Sequence, residues 1–341
     1  MKTAGTTPSG GVDLSDWKHL IDGPFLSVYV PTESAVANAT PRSDAEWRTL
    51  RTELLAQGAP EDALAHVDPL VPDAHLRGET LAVIATPDGV QVVDYLPEAV
   101  PAPRGSWGPV ADLVPIIKAR QSRIPFVTAW ADHGGADVTG YGAHRVIEKT
   151  AGDGDPMPKS APGGWSQPRF AHRAENDWAK NAADAAEEVR KMAERVDART
   201  IIVGGDVRAT HMLADHLPRD ADVHIIDPGR ANDGSEEFRD EEVRRIVNTA
   251  VAEDTVAVLE KFKTERGQLD RAVDGINATA DALKRAAVDV LLVHDDRDLL
   301  ADGAGIVDNL VHDAIATGAS VRVIPAAGPV EGGIGAILRW A

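Results

Sequence analysis

The chain has 341 residues, enough for two or three domains of roughly 100–200 residues each. It carries 35 Lys and Arg against 54 Asp and Glu, and the net charge of −19 argues against a general nucleic-acid binder, which must neutralise phosphates. The absence of cysteine excludes disulfides, thiolate nucleophiles and cysteine metal sites.

The start of the chain and its apolar runs predict a cytoplasmic location. Residues 1–11 are polar, with no apolar run after Lys2, which is not the pattern of a signal peptide. The longest apolar stretches, such as 288–293, have the length of a strand and are far too short to span a membrane. We therefore expect no membrane partner.

The first part of the chain, to about residue 123, predicts a mixed α/β domain. We expect a strand at 25–30 and a helix at 45–55. Strands at 80–85 and 90–95 form a hairpin around Pro87-Asp88-Gly89. The segment 101–108 is rich in Pro and Gly and is interpreted as a loop, followed by a short helix at 110–119 that Pro115 interrupts.

The second part predicts an alternating α/β pattern around a long loop. Strands are expected at 126–131, 136–141, 200–203 and 223–226, and a helix at 210–217. The segment 150–168, dominated by Gly, Pro, Ser and Asp, exceeds the usual length of a connection, so it is functional or disordered. A helix follows, because one apolar stripe recurs at steps of four and three: Trp178, Ala182, Ala185, Val189, Met192 and Val196.

The third part predicts another α/β domain. After a polar loop at 231–235 we expect a long helix at 236–263, helices at 277–286 and 306–317, and strands at 289–293 and 320–324. Two apolar segments separated by the glycines of 331–335 close the chain. The predicted fold class is therefore α/β with three domains, at 1–123, 124–231 (with a tip loop at 150–168) and 232–341.

The end of the long loop carries the most specific motif of the chain. Residues 163–170 are Gly-Gly-Trp-Ser-Gln-Pro-Arg-Phe. This string resembles the G-G-Q-S-x-x-R-F tip of the archaeal and eukaryotic class-1 release factors, whose superfamily also contains the Pelota rescue factors and the bacterial hibernation factor Balon. The matching residues are Gly163, Gly164, Ser166, Arg169 and Phe170; Trp165 stands where the family has its catalytic glutamine. The segments 201–205 and 332–340 resemble the same superfamily.

Two departures from the family pattern bear on function. The chain lacks the N-I-K-S motif and the cysteine-containing motif that read stop codons, so we do not expect a codon-reading release factor. Trp165 has no side-chain carbonyl and is bulky, so it favours stacking on a base over holding a hydrolytic water. The resemblance thus implies a hibernation or stress factor that occupies the A site of the 70S ribosome, with its tip at the peptidyl transferase centre.

The resemblance also implies which residues and partners are involved. The first domain would lie near the decoding site, and the third would contact the factor-binding region or a translational GTPase such as EF-Tu. No cofactor, metal or DNA is expected. The residues expected to contact 23S rRNA are Gly163, Gly164, Trp165, Ser166, Gln167, Arg169, His172 and Arg173.

Other interpretations stay open at this point. The protein could instead be a peptidyl-tRNA hydrolase of stalled ribosomes, with Gln167 as the catalytic residue, or an α/β scaffold that only inherited the fold. Trp165 could be a core residue, and Arg169 and Arg173 could pair with acidic neighbours on a solvated helix. The segment 294–298, His-Asp-Asp-Arg-Asp, resembles a metal cluster but is interpreted as a solvated loop. His211 and His216 are five apart, which does not suit a zinc pair on a helix.

Overall fold

The computed structural model describes residues 10–32, 39–71, 80–132, 135–142, 147–150, 167–226, 236–269, 271–296 and 305–340; within 39–44, 147–150, 167–179, 236 and 268–269 it describes the backbone alone. These residues form three β-sheets with helices packed against them, which confirms the predicted α/β class. The chain divides into two compact units. One is Arg123–Glu253; the other combines Ala4–Ser122 with Asp254–Ala341.

The N-terminal sheet is antiparallel and four-stranded, with the order β3-β2-β1-β4. Its strands are β1 (Phe25–Pro31), β2 (Thr80–Thr86), β3 (Gly89–Leu96) and β4 (Arg104–Gly108). The helices of this part are α1 (Ala39–Ala56), α2 (Glu61–Val67) and α3 (Val114–Gln121), and a short 3-10 helix spans Ser15–Leu20. Alternate residues of β1 point to opposite faces of the sheet. Leu26 and Val28 belong to the core that includes residues of α1 and α2, whereas Tyr29 lies in the core on the opposite face.

Two predictions in this part were wrong. The segment expected to be a loop contains the strand β4. The local sequence does not favour a strand, and hydrogen bonding to β1 holds it in the extended conformation. At Gly105 an added Cβ would lie 2.9 Å from the carbonyl oxygen of Ser27, so the missing side chain permits this close pairing. Pro115 lies in the first turn of α3 and does not interrupt it, a position where proline costs no hydrogen bond.

The sheet of the Arg123–Glu253 unit has five strands in the order β7-β6-β5-β8-β9. They are β5 (Phe126–Asp132), β6 (Gly135–Tyr141), β7 (Ile147–Thr150), β8 (Thr200–Gly205) and β9 (Asp222–Ile225), with β5, β8 and β9 parallel. Helices α4 (Gln167–Val196) and α5 (Val207–His216) cover the face that carries Val127 and Val203. The opposite face, with Trp130 and Ile202, packs with the first half of the long helix α6 (Glu236–Thr264).

The third sheet has the order β10-β13-β11-β12. Its strands are β10 (Ala272–Asp274), β11 (Val288–Asp295), β12 (Ser320–Pro325) and β13 (Ile334–Leu338), and only the β11–β12 pair is parallel. Helices α7 (Ile276–Lys284) and α8 (Ile306–Thr317) belong to this part; a π-helical turn at Glu265–Leu269 follows α6, and a 3-10 turn at Glu331–Gly333 precedes β13. The short strand β10 was not predicted from the sequence.

In the unit that combines Ala4–Ser122 with Asp254–Ala341, the two chain segments share one hydrophobic core. Tyr29 and Ile84 of the N-terminal sheet lie in the same buried cluster as Val311 of α8 and Leu291 of β11. The backbones also meet, since Val12 forms an antiparallel bridge with Val321 at the edge of the third sheet. Within the residues described above, no helix has the length and apolar character needed to cross a membrane.

Candidate functional site

Only residues 150, 167 and 168 of the predicted tip loop are among the described residues. Gly163, Gly164, Trp165 and Ser166 lie outside the described residues. Helix α4 begins at Gln167, immediately after them, and Pro168 is its second residue, where proline suits a helix. The backbone of Arg169, His172 and Arg173 is therefore helical, within the first two turns. The roles of all these side chains remain predictions.

The second half of α4 anchors the helix to the sheet. The apolar stripe predicted there is confirmed for its members from Ala182 onward: Ala182, Ala185, Val189, Met192 and Val196 are all buried. Trp178 falls among the residues whose side chains are not described. Close approach to β6 depends on Gly140, where an added Cβ would lie 2.6 Å from the sulfur of Met192. The absence of a side chain at Gly140 thus lets helix α4 pack close to strand β6.

The start of α4 lies far from its anchored half. Gln167 precedes Ala182, the first buried residue of the described side chains, by 15 positions. At about 1.5 Å per residue this corresponds to roughly 22 Å along the helix axis. The helix runs without interruption between these two points. The motif therefore precedes the first residue of a continuous helix whose second half packs against the sheet.

The charges on the anchored half of α4 are mutually compensated. Arg190 pairs with Glu187 at 2.7 Å and also with Glu194, and Lys191 lies 3.7 Å from Glu187. The hydrogen bond from Arg190 lowers the pKa of Glu187, so this carboxylate stays ionised. These pairs are exposed and follow the i,i+3 and i,i+4 spacing that favours a helix. They suit a stable helix surface better than a phosphate-binding surface.

The turn after β8 is a helix cap. The Asp206 carboxylate accepts hydrogen bonds from the backbone N–H groups of Arg208 and Ala209, which caps α5. Gly205 adopts φ of +121°, and an added Cβ would lie 2.1 Å from the carbonyl oxygen of Ala131. The Gly204-Gly205-Asp206 sequence therefore makes a tight strand-to-helix turn.

The histidines show no metal-site geometry in the described part of the chain. His294 is 7% exposed at the end of β11, so the interpretation of its segment as a solvated loop was wrong for this residue. The strand keeps it buried beside Gly328, and burial lowers the pKa of its imidazole. Asp295 pairs with Lys118 at 2.7 Å, whereas Arg297 and Asp298 lie outside the described residues. His216 contacts the carbonyl of Met212 on its own helix. No group of three or more His, Asp or Glu side chains among the described residues could hold a metal ion.

Several polar contacts within the fold were not predicted from the sequence. Gln121 hydrogen-bonds the backbone of Val323, and the buried Arg322 side chain donates to Gly10 and Thr255. Tyr29, Arg104 and Asp112 form a cluster near Asp308. The sequence carries no local signal for these contacts, because most of them join residues far apart in the chain.

Comparison with known proteins finds a similarity to release factors and Pelota proteins. Residues 125–268 match the family model of bacterial archaeo-eukaryotic release factor family 2. This range begins at the first strand of the middle sheet and extends through α6. A Pelota homologue of Methanopyrus kandleri is 29% identical over 252 residues, covering 67% of this chain and 66% of its own. These matches support the predicted resemblance to the superfamily of archaeo-eukaryotic release factors and Pelota proteins.

Other relatives extend over nearly the whole chain. An uncharacterized protein of Mycobacterium tuberculosis is 28% identical over 361 aligned positions, covering 95% of this chain and 96% of its own. Among solved structures, the Pelota protein of Archaeoglobus fulgidus is 15% identical with a TM-score of 0.40, covering 96% of this chain and 92% of its own.

Proposed function

We propose that this protein binds the A site of the 70S ribosome as a hibernation or stress factor in the cytoplasm. The observation that carries the proposal is helix α4, which begins directly after the Gly-Gly-Trp-Ser motif and continues for 30 residues into an anchored half. This helix lies inside the segment that matches the release-factor family. A rod of this kind can deliver a loop into a deep and narrow site.

The chemistry of the motif favours occupancy of the peptidyl transferase centre over hydrolysis. Hydrolysis requires donors placed where negative charge develops and a compact group that orients water. Trp165 offers only an indole N–H and a large aromatic face, which suits stacking on an unpaired base. Gly163 and Gly164 would shape the loop for close approach to RNA, because glycine tolerates unusual backbone angles.

The remaining motif residues would hold the loop against 23S rRNA. Arg169 and Arg173 lie one helical turn apart at the start of α4 and would contact phosphates. Ser166, Gln167 and His172 would complete the polar contact with RNA. The compensated charges around Arg190 are consistent with basic contacts concentrated at the tip of an acidic protein.

The rest of the chain would supply the other contacts with the translation machinery. We assign the segment 1–123 to a position near the decoding site. The segment 232–341 would contact the factor-binding region or a translational GTPase, with EF-Tu as the candidate. The absence of the stop-codon motifs from the sequence supports a factor that does not read codons.

The test combines ribosome pelleting and peptide release on the same samples. Purified protein is mixed with vacant 70S ribosomes, or with 70S ribosomes that carry labelled peptidyl-tRNA. We expect pelleting without release of the peptide. Trp165→Ala should lower the affinity about fivefold to a hundredfold, since stacking contributes about 1–3 kcal/mol per base. Trp340→Ala is the matched control, because Trp340 is 53% exposed near the end of the chain.

Two outcomes would contradict the proposal in different ways. Peptide release that disappears in Gln167→Ala, with pelleting retained, would show a peptidyl-tRNA hydrolase. Neither pelleting nor release would leave an α/β scaffold with no ribosomal role. Equal loss of binding in Trp165→Ala and Trp340→Ala would remove the specific role of the tip.

A further inference from the structure

The outer edge of strand β12 is covered by two different parts of the chain. Strand β12 ends its sheet, so some of its backbone groups point away from its neighbour β11 and need other partners. Val12 exchanges two backbone hydrogen bonds with Val321: its N–H donates at 2.8 Å and its carbonyl accepts at 3.2 Å. At Val323 the side-chain amide of Gln121 takes this role. Residues 10–12, which we call the strap, thus act as a short extra strand.

The strap lies in a narrow slot between β12 and helix α6. An added Cβ at Gly11 would lie 2.4 Å from the hydroxyl oxygen of Ser320 and 2.7 Å from its Cβ. At Gly10 an added Cβ would lie 2.2 Å from a methyl carbon of Val258 on α6. Gly10 also has φ of +92°, a backbone angle that glycine adopts readily. The slot therefore accepts two glycines in succession and has no room for a side chain at either position.

A fully buried arginine recognises the main chain of the strap. The guanidinium of Arg322 on β12 donates a hydrogen bond to the carbonyl oxygen of Gly10 at 3.1 Å and another to the hydroxyl of Thr255 at 2.6 Å. The Asp254 carboxylate lies 3.8 Å from the guanidinium and is half exposed. Since a buried charge is costly unless it is hydrogen-bonded, the Gly10 carbonyl has a defined role. Together with Val321, Arg322 reads an extended backbone at two places.

The strap is held differently from the residues that follow it. Leu14 and Trp17, just beyond it, are each 2% exposed and lie in the hydrophobic core. The strap adds one apolar side chain to this core, that of Val12, and its two glycines add none. An element that buries so little apolar surface opens locally at a lower free energy than the whole unit unfolds. Leu14 and Trp17 keep the chain anchored when residues 10–12 leave the slot.

We propose that the edge of β12 is a peptide-binding slot that the chain's own residues 10–12 occupy as a removable strap. The class of ligand is an extended segment with two glycines followed by an aliphatic residue, as in Gly10-Gly11-Val12. In the closed state the strap satisfies the backbone of Val321 and the guanidinium of Arg322. In the open state both groups are exposed at an unpaired strand edge.

The first test follows amide hydrogen exchange at Val321 and Val323 in the full-length protein, corrected for intrinsic rates. In wild type the Val321 amide should exchange by local opening, at a rate that low urea concentrations do not change. Gly11→Ala places a methyl group against Ser320, so it should accelerate exchange at Val321 about tenfold or more and leave Val323 unchanged. Gly267→Ala is the matched control, because the space around Gly267 is open.

Two results of this experiment would overturn the removable strap. One is exchange at Val321 that occurs only when the whole unit unfolds, which would make residues 10–12 a fixed part of the sheet. The other is a Gly11→Ala variant in which Val321 is unchanged or in which both amides accelerate equally. The first of these would show that the glycine is not needed in the slot, and the second that the substitution acts on the whole unit.

The second test supplies the strap as a separate peptide. A variant that lacks residues 1–12 is titrated with a labelled peptide of residues 4–12, and binding is followed by fluorescence anisotropy. We expect saturable binding that is about tenfold or more weaker for the peptide with Gly11→Ala. Full-length protein should bind the peptide at least about tenfold more weakly than the truncated variant, since its own strap competes at high effective concentration.

The truncated variant also has outcomes that would contradict the proposal. A circular-dichroism spectrum of an unfolded chain would show that residues 10–12 cannot leave without loss of the fold. A folded variant that binds no peptide, or that binds the two peptides equally, would show that the edge of β12 is not a peptide-binding slot.

Discussion

Gln121 and Val323 are joined by two hydrogen bonds through the side-chain amide of the glutamine. Its Nε2 donates to the Val323 carbonyl at 2.7 Å, and the Val323 N–H donates to its Oε1 at 2.9 Å. The two residues are 202 positions apart, on α3 and on β12 at the edge of the third sheet. The amide thus takes the place of a neighbouring strand and satisfies both backbone groups of a buried residue.

Replacement of this glutamine should cost more than an ordinary surface change. Gln121→Ala leaves the N–H and the C=O of Val323 without partners in a buried place, and we expect a loss of about 2–4 kcal/mol in the free energy of unfolding. Urea titration followed by circular dichroism measures it. The control is Gln57→Ala, since Gln57 is exposed and accepts one long bond of 3.4 Å from Trp107. A similar small loss in both variants would mean that water replaces the amide.

A glycine in the Arg123–Glu253 unit should be equally sensitive for a different reason. Gly205→Ala must place a methyl group 2.1 Å from the Ala131 carbonyl oxygen and must keep φ at +121°, which is unfavourable for alanine. We expect a loss of about 2 kcal/mol or more in the free energy of unfolding. Gly267→Ala is the matched control, because the space around Gly267 is open and its φ is ordinary. Equal melting temperatures of the two variants would contradict the tight turn.

The imidazole of His294 should make the protein less stable in acid. Burial lowers its pKa below the ordinary value of 6.5, although Asp296 and Asp274 partly oppose the shift. As the pH falls through 6.5 the unfolded chain takes up a proton that the folded protein refuses, so stability is lost. His294→Gln should remove this slope between pH 7 and pH 5.5, and His19→Gln, at an exposed position, should retain it. A His294→Gln variant with the slope of wild type would contradict the shift.

Most helices and the central strands were predicted from the sequence, because their signals are local, whereas helix α2 was not predicted. Helix α8 carries an apolar stripe and lies between two glycines. Its predicted bounds are those of the structure. Strand β4 was missed, since its extended conformation comes from pairing with β1 and not from its own residues. The contacts of Arg322 could not be predicted either. Its place in a strand predicts burial, but no local pattern indicates hydrogen bonds to residues as distant as Gly10 and Thr255. The motif at 163–170 was found because the residues that carry its resemblance form one short contiguous string.

The anchored half of α4 should control whether the tip can act. Met192→Ala removes a buried side chain that packs over Gly140, and we expect the unfolding free energy of this unit to fall by about 2–4 kcal/mol. If the tip acts through the rigidity of α4, ribosome pelleting should weaken under conditions where the variant is still mostly folded. Lys191→Ala, at the neighbouring exposed position, changes only a surface ion pair and should leave stability and pelleting close to wild type. Pelleting at full strength in Met192→Ala, with the expected loss of stability, would show that the motif binds without support from the anchored helix.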